Sequence, residues 1–501
     1  MIQAIRFERH NVYRKDEATG FLQRLVNSLH IRTIPGVIER ELLFDVGDLY
    51  DARRAAATER NLRSLGVFRA VDIDTTRSDS GLVVRVQTQD GWSTKPQFTF
   101  RSTGGQTIWR VSLFEENLFG TASRLSASYR HEPDRTAVLF GFQQPRLIAG
   151  QVGLSLFYDD RSDGYIVDAR IAQPYLSYES RTAWTAAAET RDERILRFFE
   201  GEREPSDTAV RLLDGVGIAY GRAFRADLGG YLRLGLSARI WRDDFLTPDE
   251  SRPASRPGFG SVAGSLEWRH ARFAVVRGFR ANREEDVDLS TTVRVGLALT
   301  PKTFGYPDDG VVPSLSVHTG GLFRRWMFGY VDVNAHGRFS GAGLDSGAVQ
   351  TAATLVYIPS GRHVTIFHAW AGWLHHPRPG GEFDLGLGLG PRAYELHAFS
   401  GDRGVITTAE YRFTVAEDFL KLADLGLAAY ADWGGAWFSG SRRRTGWDIG
   451  VGLRIGTSRA TSLTLNRIDL AYRPATAQQG AGWVLSVAKG FNFSTSGTLN
   501  R

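Results

Sequence analysis

The chain has 501 residues, no cysteine, 61 Lys plus Arg against 55 Asp plus Glu, and a formal charge of +6. The lack of cysteine excludes a disulfide framework and a thiolate metal site, and a positive excess scattered along the chain rather than bunched into a basic arm argues against nucleic acid as a partner. Hydrophobic residues make up 42%, mean hydropathy is −0.24, and no apolar run approaches the roughly 18–20 residues of a spanning helix, so only strands could carry this chain across a membrane.

Residues 1–92 are expected to form one compact α+β module. Ile5 to Val12 reads as a strand, Gly20 to Leu29 as a short amphipathic helix, and Val37 to Phe44 as a helical turn ending at Gly47-Asp48. Asp51 to Leu65 reads as a longer helix stopped by Gly66, with Ala55, Ala56, Leu62 and Leu65 toward a core and Arg53, Arg54, Glu59, Arg60 and Arg63 outward. Val67 to Thr75 and Gly81 to Thr88 follow as strands joined by the turn Arg77-Ser78-Asp79-Ser80. The order Gly47-Asp48-x-Tyr50-Asp51, Glu59 to Arg63, Leu65-Gly66-x-Phe68, Val71-x-Ile73 and Val83-Val84-x-Val86 resembles a polypeptide-transport-associated (POTRA) domain. Taken singly, Gly47, Gly66 and Phe68 equally suit helix caps and a core.

From Pro96 onward the pattern changes to strict alternation, and about twenty strands of roughly 9–13 residues are expected. In Tyr231 to Trp241, Leu232, Leu234, Leu236, Ala238 and Ile240 share one face while Arg233, Gly235, Ser237 and Arg239 share the other. Val287 to Leu299 and Trp447 to Ile455 repeat the pattern. One sheet of this size avoids exposed edges by closing into a barrel. The apolar face could look inward or outward, and size decides: so many strands enclose a lumen that wants polar walls. An arginine facing lipid near mid-bilayer costs roughly 2–4 kcal/mol, so Arg233, Arg239, Arg294 and Arg454 are expected in a wet interior. The predicted fold is a transmembrane antiparallel β-barrel over residues 93–501, and 55 glycines with 12 Trp, 16 Tyr and 30 Phe suit tight turns and aromatic girdles. Met1 to His10 lacks the basic-then-apolar layout of a secretory signal, so a barrel reading implies a leader not present in this sequence.

Short links at Asn117 to Ala122, Ala149-Gly150-Gln151, Ala226 to Gly230 and Gly361-Arg362 alternate with longer polar ones at Leu196 to Asp207, Thr247 to Gly260 and Pro377 to Arg403. This is the parity of periplasmic turns and outer loops. At the carboxyl end, Ser486-x-Ala488-x-x-Phe491-x-Phe493 resembles the β-signal by which barrel precursors are recognised. A plain amphipathic strand reads the same way.

As a whole, the chain resembles the BamA/TamA-type superfamily of outer-membrane assembly and translocation proteins, which also includes the two-partner secretion transporters. The family's lumen motif, Val/Leu-Arg-Gly-Phe/Tyr, lies on a loop five strands from the end. The long loop in that place, 377–403, carries Gly390-Pro391-Arg392-Ala393-Tyr394 and then Phe399-Ser400-Gly401-Asp402-Arg403, with Ala393 where glycine is usual. Glu410-Tyr411-Arg412 and Asp432-Trp433-Gly434 match acidic strand motifs. A guanidinium drawn into a partly dry lumen needs a carboxylate on a rigid strand, so Arg392 is expected to bond Asp432 with Glu410 nearby. A literal Val276-Arg277-Gly278-Phe279 reads as coincidence, since it ends an inward-running strand and lacks the long loop. The family has sixteen strands, so either some of the twenty are hairpins within loops or this barrel is enlarged.

The resemblance implies an outer-membrane location with residues 1–92 in the periplasm. It further implies insertion or translocation of unfolded polypeptide clients, with membrane lipid and periplasmic accessory proteins as other partners. The seam would run between Gln97 to Thr103, including Phe98 and Phe100, and Trp483 to Phe493. The alternative is a passive porin-like or structural barrel. Gly386-Leu387-Gly388-Leu389-Gly390 lacks the strand-then-helix context of a phosphate loop, and the adjacent pair His375-His376 has poor metal spacing. No cofactor, metal or catalytic set is expected.

Overall fold

The computed structural model describes the chain apart from residues 79–80, 104–105, 149–151, 200, 251–252, 254, 387–388, 460–464, 477–478, 492 and 494–501. The expected turn at Asp79-Ser80, the link at Ala149-Gly150-Gln151 and Gly388 therefore lie outside the described residues.

The amino-terminal module has a three-stranded sheet in which β3 (Gly81–Asp90) is central, parallel to β1 (Ile2–His10) and antiparallel to β2 (Phe68–Ser78). Helices α1 (Phe21–Leu29), α2 (Pro35–Glu39) and α3 (Ala52–Ser64) accompany it. The Asp51 side chain caps α3 by accepting from the Arg53 N–H at 2.8 Å, and Gly66, at φ 71°, turns the chain beyond its other end. Leu62 and Ala55 bury on Ile38, Phe68, Val84 and Val86. The core-facing stripe continues through Ala57 and Thr58, whereas the expected Ala56 is only half-buried.

Twenty strands follow, from β4 (Thr94–Thr103) and β5 (Gln106–Leu118) to the last, Gly482–Lys489. They close into one antiparallel ring in chain order, the first meeting the last. The alternation maps onto the wall as physics requires. Leu236, Ile240 and Val451 lie on the outside, 55%, 64% and 58% exposed, a belt that only hydrocarbon would cover. The intervening polar residues face in and find partners. Arg239 pairs with Glu189 and Arg294 with Glu267, while Arg233 lies over the rings of Tyr175 and Tyr231 at 3.6 and 3.4 Å.

Two sequence expectations are corrected. Val287 to Leu299 is not one strand. Residues Glu284–Asp288 pair with Phe273–Arg277 in a separate hairpin, and the barrel strand is Thr291–Thr300. Val287 and Leu289 are buried with Phe279, Phe328, Val356 and Ile366 rather than placed on the outer belt. The second correction concerns Phe491 and Phe493. The last strand ends at Lys489, Gly490 turns at φ 72°, and both phenylalanines join that same cluster.

Candidate functional site in the barrel lumen

The strand His363–His375 leads into the loop that returns at Arg403–Phe419. On the way the loop forms a small hairpin, Phe383–Leu385 with Phe399–Gly401. Its apolar residues Phe383, Leu385, Tyr394 and Phe399 pack on Trp370, Ile406 and Ala436 of the barrel wall. This buried patch draws the loop inside the ring. Gly386, at φ 149°, sits where an added Cβ would lie 2.0 Å from the Glu395 carbonyl oxygen, so only glycine fits there.

Arg392, 3% exposed, projects from the tip into a set of strand-borne carboxylates. Its Nε donates to Asp432 Oδ2 at 2.6 Å and its Nη2 to Asp432 Oδ1 at 3.2 Å, the fork-on-carboxylate geometry that lysine cannot make. The same guanidinium reaches Glu410 Oε2 at 3.4 Å and Asp469 Oδ2 at 3.3 Å, and its carbon lies 3.6 Å from the centre of the Tyr430 ring. Further arginines share these acids. Glu410 accepts from Arg412 Nε at 2.6 Å and Arg454 Nε at 3.1 Å, and Asp469 from Arg454 Nη1 at 2.6 Å and Arg467 Nη1 at 2.7 Å. The result is an alternating lattice in which Glu410 and Asp469 are each shared by three arginines.

The neighbouring loop residues are fixed through backbone and ring contacts. The Ala393 N–H donates to Asp448 Oδ2 at 3.0 Å, and its carbonyl accepts from Arg473 Nη1 at 2.6 Å. Ala393 is not among the residues with positive φ, so alanine in the usual glycine place brings no backbone strain. Tyr394 Oη donates to the Trp447 carbonyl at 3.2 Å and accepts from the Trp447 N–H at 3.1 Å. Its ring occupies the space that a side chain at Gly446 would need. His397, at φ 60°, is held by Asp384 and Asp134 at 2.5 and 2.9 Å and stacks on Phe198.

Other expected site residues lie elsewhere. Asp402 and Arg403 stand at the base of the loop. The Asp402 carboxylate accepts from the Ser439 N–H at 2.7 Å, and Arg403 donates to the Leu374 carbonyl at 2.7 Å. At the seam the ladder comprises Phe100 with Val487, Arg101 with Ser486 and Ser102 with Leu485, whereas β4 pairs with β5 along its whole length. Gln97 and Phe98 face Ser112 and Val111 of β5 and nothing on the last strand. Phe491 and Phe493 pack on Phe279 and on His368 at ring distances of 5.4 and 4.0 Å. In the module, Gly47 at φ 97° and Asp48 clasp Ile2 through backbone bonds of 2.8 Å, Tyr50 covers the core edge, and Phe68 is buried in it.

Asp448, Asp469 and Arg467 were absent from the sequence expectation. Arg467, Asp469, Ala471 and Arg473 do alternate with Ile468, Leu470 and Tyr472, which marks them as inward-facing. Only the register between strands shows that Asp469 meets Arg454 and Arg392. Val276-Arg277-Gly278-Phe279 lies at the turn of the inner hairpin and touches the edge of this lattice at Arg412. There Phe279 is buried, and its carbonyl accepts from Arg412 at 3.1 Å.

No protein-family model matches the chain. It is 28% identical over 150 residues, 28% of this chain, to the outer membrane protein assembly factor BamA of Neorickettsia risticii. The match spans 20% of that relative's length. Among solved structures, BamA of Haemophilus ducreyi lacking POTRA domains 1–3 aligns with 98% of this chain and 84% of its own, at 12% identity and a TM-score of 0.41. CdiB of Escherichia coli aligns with 97% of this chain and 76% of its own, at 12% identity and 0.48. The FrpB iron transporter of Neisseria meningitidis aligns with 85% and 87%, at 9% and 0.40. The chain is thus similar over that local stretch to an outer membrane protein assembly factor, and it closes into an antiparallel barrel.

Proposed function

We propose that this chain inserts or translocates polypeptides at a bacterial outer membrane, with residues 93–501 as the barrel and residues 1–92 as a POTRA-type module on the periplasmic side. The outer apolar belt supports the lipid setting. The observation that carries the transport reading is the seam, where a ladder of Phe100, Arg101 and Ser102 closes a ring whose other joints are longer. Opening that joint releases few backbone bonds and extends the edge already unpaired at Gln97 and Phe98, on which a client strand can add by β-augmentation. In the module, among the described residues, β1 and β2 each pair with β3 alone, which leaves two edges for an incoming extended segment or an accessory protein. Arg392, Ala393 and Tyr394, pinned by Glu410 and Asp432, keep the loop inside so that the lumen does not leak while the wall opens. Asp402 and Arg403 fix the return of that loop. Gly47, Asp48, Tyr50, Gly66 and Phe68 shape the module.

The test uses the absence of native cysteine. A Ser102→Cys, Leu485→Cys pair places two thiols on directly paired residues. In liposomes, oxidation of that pair is expected to stop delivery of an unfolded barrel precursor, and reduction to restore it. Delivery that is indifferent to the lock overturns the seam mechanism. A steady open conductance with no delivery in either state identifies a passive barrel.

A further inference from the structure

Helix α1 is inside out for a helix in water. At 100° per residue, Phe21, Leu22, Leu25, Val26 and Leu29 share one side, and Gln23, Arg24 and Asn27 the other. The polar side is the docked one. Asn27 Oδ1 accepts from the Tyr13 N–H at 3.0 Å, and its amide donates to the Tyr13 carbonyl at 2.9 Å. The apolar side faces away from the protein, with Phe21 71% and Leu29 66% exposed. None of the nine residues of α1 is buried.

Its location is fixed at two points. Before the helix, Tyr13 Oη donates to the Lys421 carbonyl, in the turn between the strands Arg403–Phe419 and Ala423–Trp437. After it, the Ile34 N–H donates to the Gly120 carbonyl, in the turn that follows β5. Around the ring, the short way between those turns crosses the last strand and β4. The helix therefore runs along the module-side rim beneath the seam. The two anchoring turns each carry an exposed apolar residue, Leu420 at 70% and Phe119 at 71%. Arg14, Lys15, Arg24, Arg32 and Lys421 stand exposed along the same segment.

We propose that α1 is an interfacial membrane helix, its apolar side seated among the acyl chains of the module-side leaflet under the seam and its cations among anionic headgroups. The exposed Leu420 and Phe119 in the two anchoring turns choose lipid as the occupant, because an apolar face strung between those turns lies at the edge of a lipid-covered belt. Amphipathic helices with basic flanks partition in this way. The inference rests on the barrel being lipid-embedded, but not on polypeptide transport.

The experiment is fluorescence quenching on the full chain in bilayers. Single variants Leu25→Cys, Leu29→Cys and Arg24→Cys carry an environment-sensitive dye, and Leu236→Cys on the barrel exterior serves as the lipid control. Circular dichroism checks that each variant keeps the fold. Lipids bearing a nitroxide near the headgroup end of the acyl chain are expected to quench Leu25 and Leu29 several-fold more than Arg24, and more strongly in anionic bilayers. Quenching at Leu236 without quenching at Leu25 and Leu29 overturns the helix assignment alone. No quenching at Leu236 overturns the lipid setting of the barrel itself. Equal quenching at Arg24 and Leu25, a change only on adding unfolded polypeptide, or thiol crosslinking between copies through Leu25 each overturns it in favour of another occupant.

Discussion

At the scale of single residues, Arg392 is the place where charge, geometry and burial coincide. Its removal leaves Asp432 without its fork and Glu410 and Asp469 one cation short. Breaking a buried pair from one side costs about 3–5 kcal/mol. Arg392→Ala is therefore expected to lower the thermal unfolding midpoint of the detergent-solubilised barrel and to turn a low conductance into a larger, fluctuating one as the loop leaves the wall. Arg392→Lys is not expected to restore either property, because an ammonium cannot span both oxygens of Asp432. Arg403→Ala, at the loop base, is expected to leave conductance near that of the parent. The pairing of Arg392 with Asp432 was legible through a loop motif and a strand motif that resemble those of a known family, and Asp432 also falls on the inward side of its strand's alternation. Asp448, Asp469 and Arg467 obey the same rhythm, but their partners depend on strand register, which alternation alone does not reveal.

Elements show where period-two patterning stops informing. A barrel strand turns its apolar side to lipid, and an inner hairpin turns the same side to the lumen filling, so Val287 to Leu299 reads identically either way. Phe491-x-Phe493 poses the same ambiguity. The twenty wall strands were legible because each is long and bounded by turn residues, as at Gly361-Arg362. The inner hairpin carries a testable group, Glu285, 2% exposed, whose carboxylate lies 3.1 Å from Arg280 Nε and accepts from the Arg280 N–H. Burial outweighs those contacts and pushes its pKa up to about 7. A raised carboxyl pKa means that the folded site prefers the proton. The hairpin is thus best held below the ordinary carboxylate range, and weakens as pH rises toward 7, by up to roughly 3 kcal/mol, before levelling off. Hydrogen-exchange protection of residues 284–288 is expected to fall between pH 5 and pH 8 in the parent and to stay flat in Glu285→Gln.

Across the whole molecule, the module and the barrel are latched rather than tethered. Arg146 grips Glu41 through two bonds of 2.9 Å, Arg63 holds Asp286 at 2.8 Å, and Arg459 reaches Glu17 at 3.1 Å. Asp90, at the end of β3, gathers the Thr33 N–H, the Thr33 hydroxyl and His30 within 3.0 Å, and Thr33 in turn accepts from Asn117 of β5 at 2.9 Å. Burial already raises the pKa of Glu41, so without its arginine it is poorly served in either charge state. Arg146→Ala is expected to loosen the latch, with faster proteolytic cutting between residues 90 and 94 while the barrel stays intact. None of these contacts was legible in the sequence, since each joins residues that belong to two separate patterns.

The inturned tail has a consequence for how such a molecule is made. Phe493 rests against His368 and Ile366, and Phe491 against Phe279, so residues late in the sequence touch parts of the chain more than a hundred positions earlier. Contacts so distant in sequence form slowly. They also lie within the ring, where they can be reached while the first and last strands are still apart. The expected order is that Phe491 and Phe493 take their places within the ring before the first and last strands join around them.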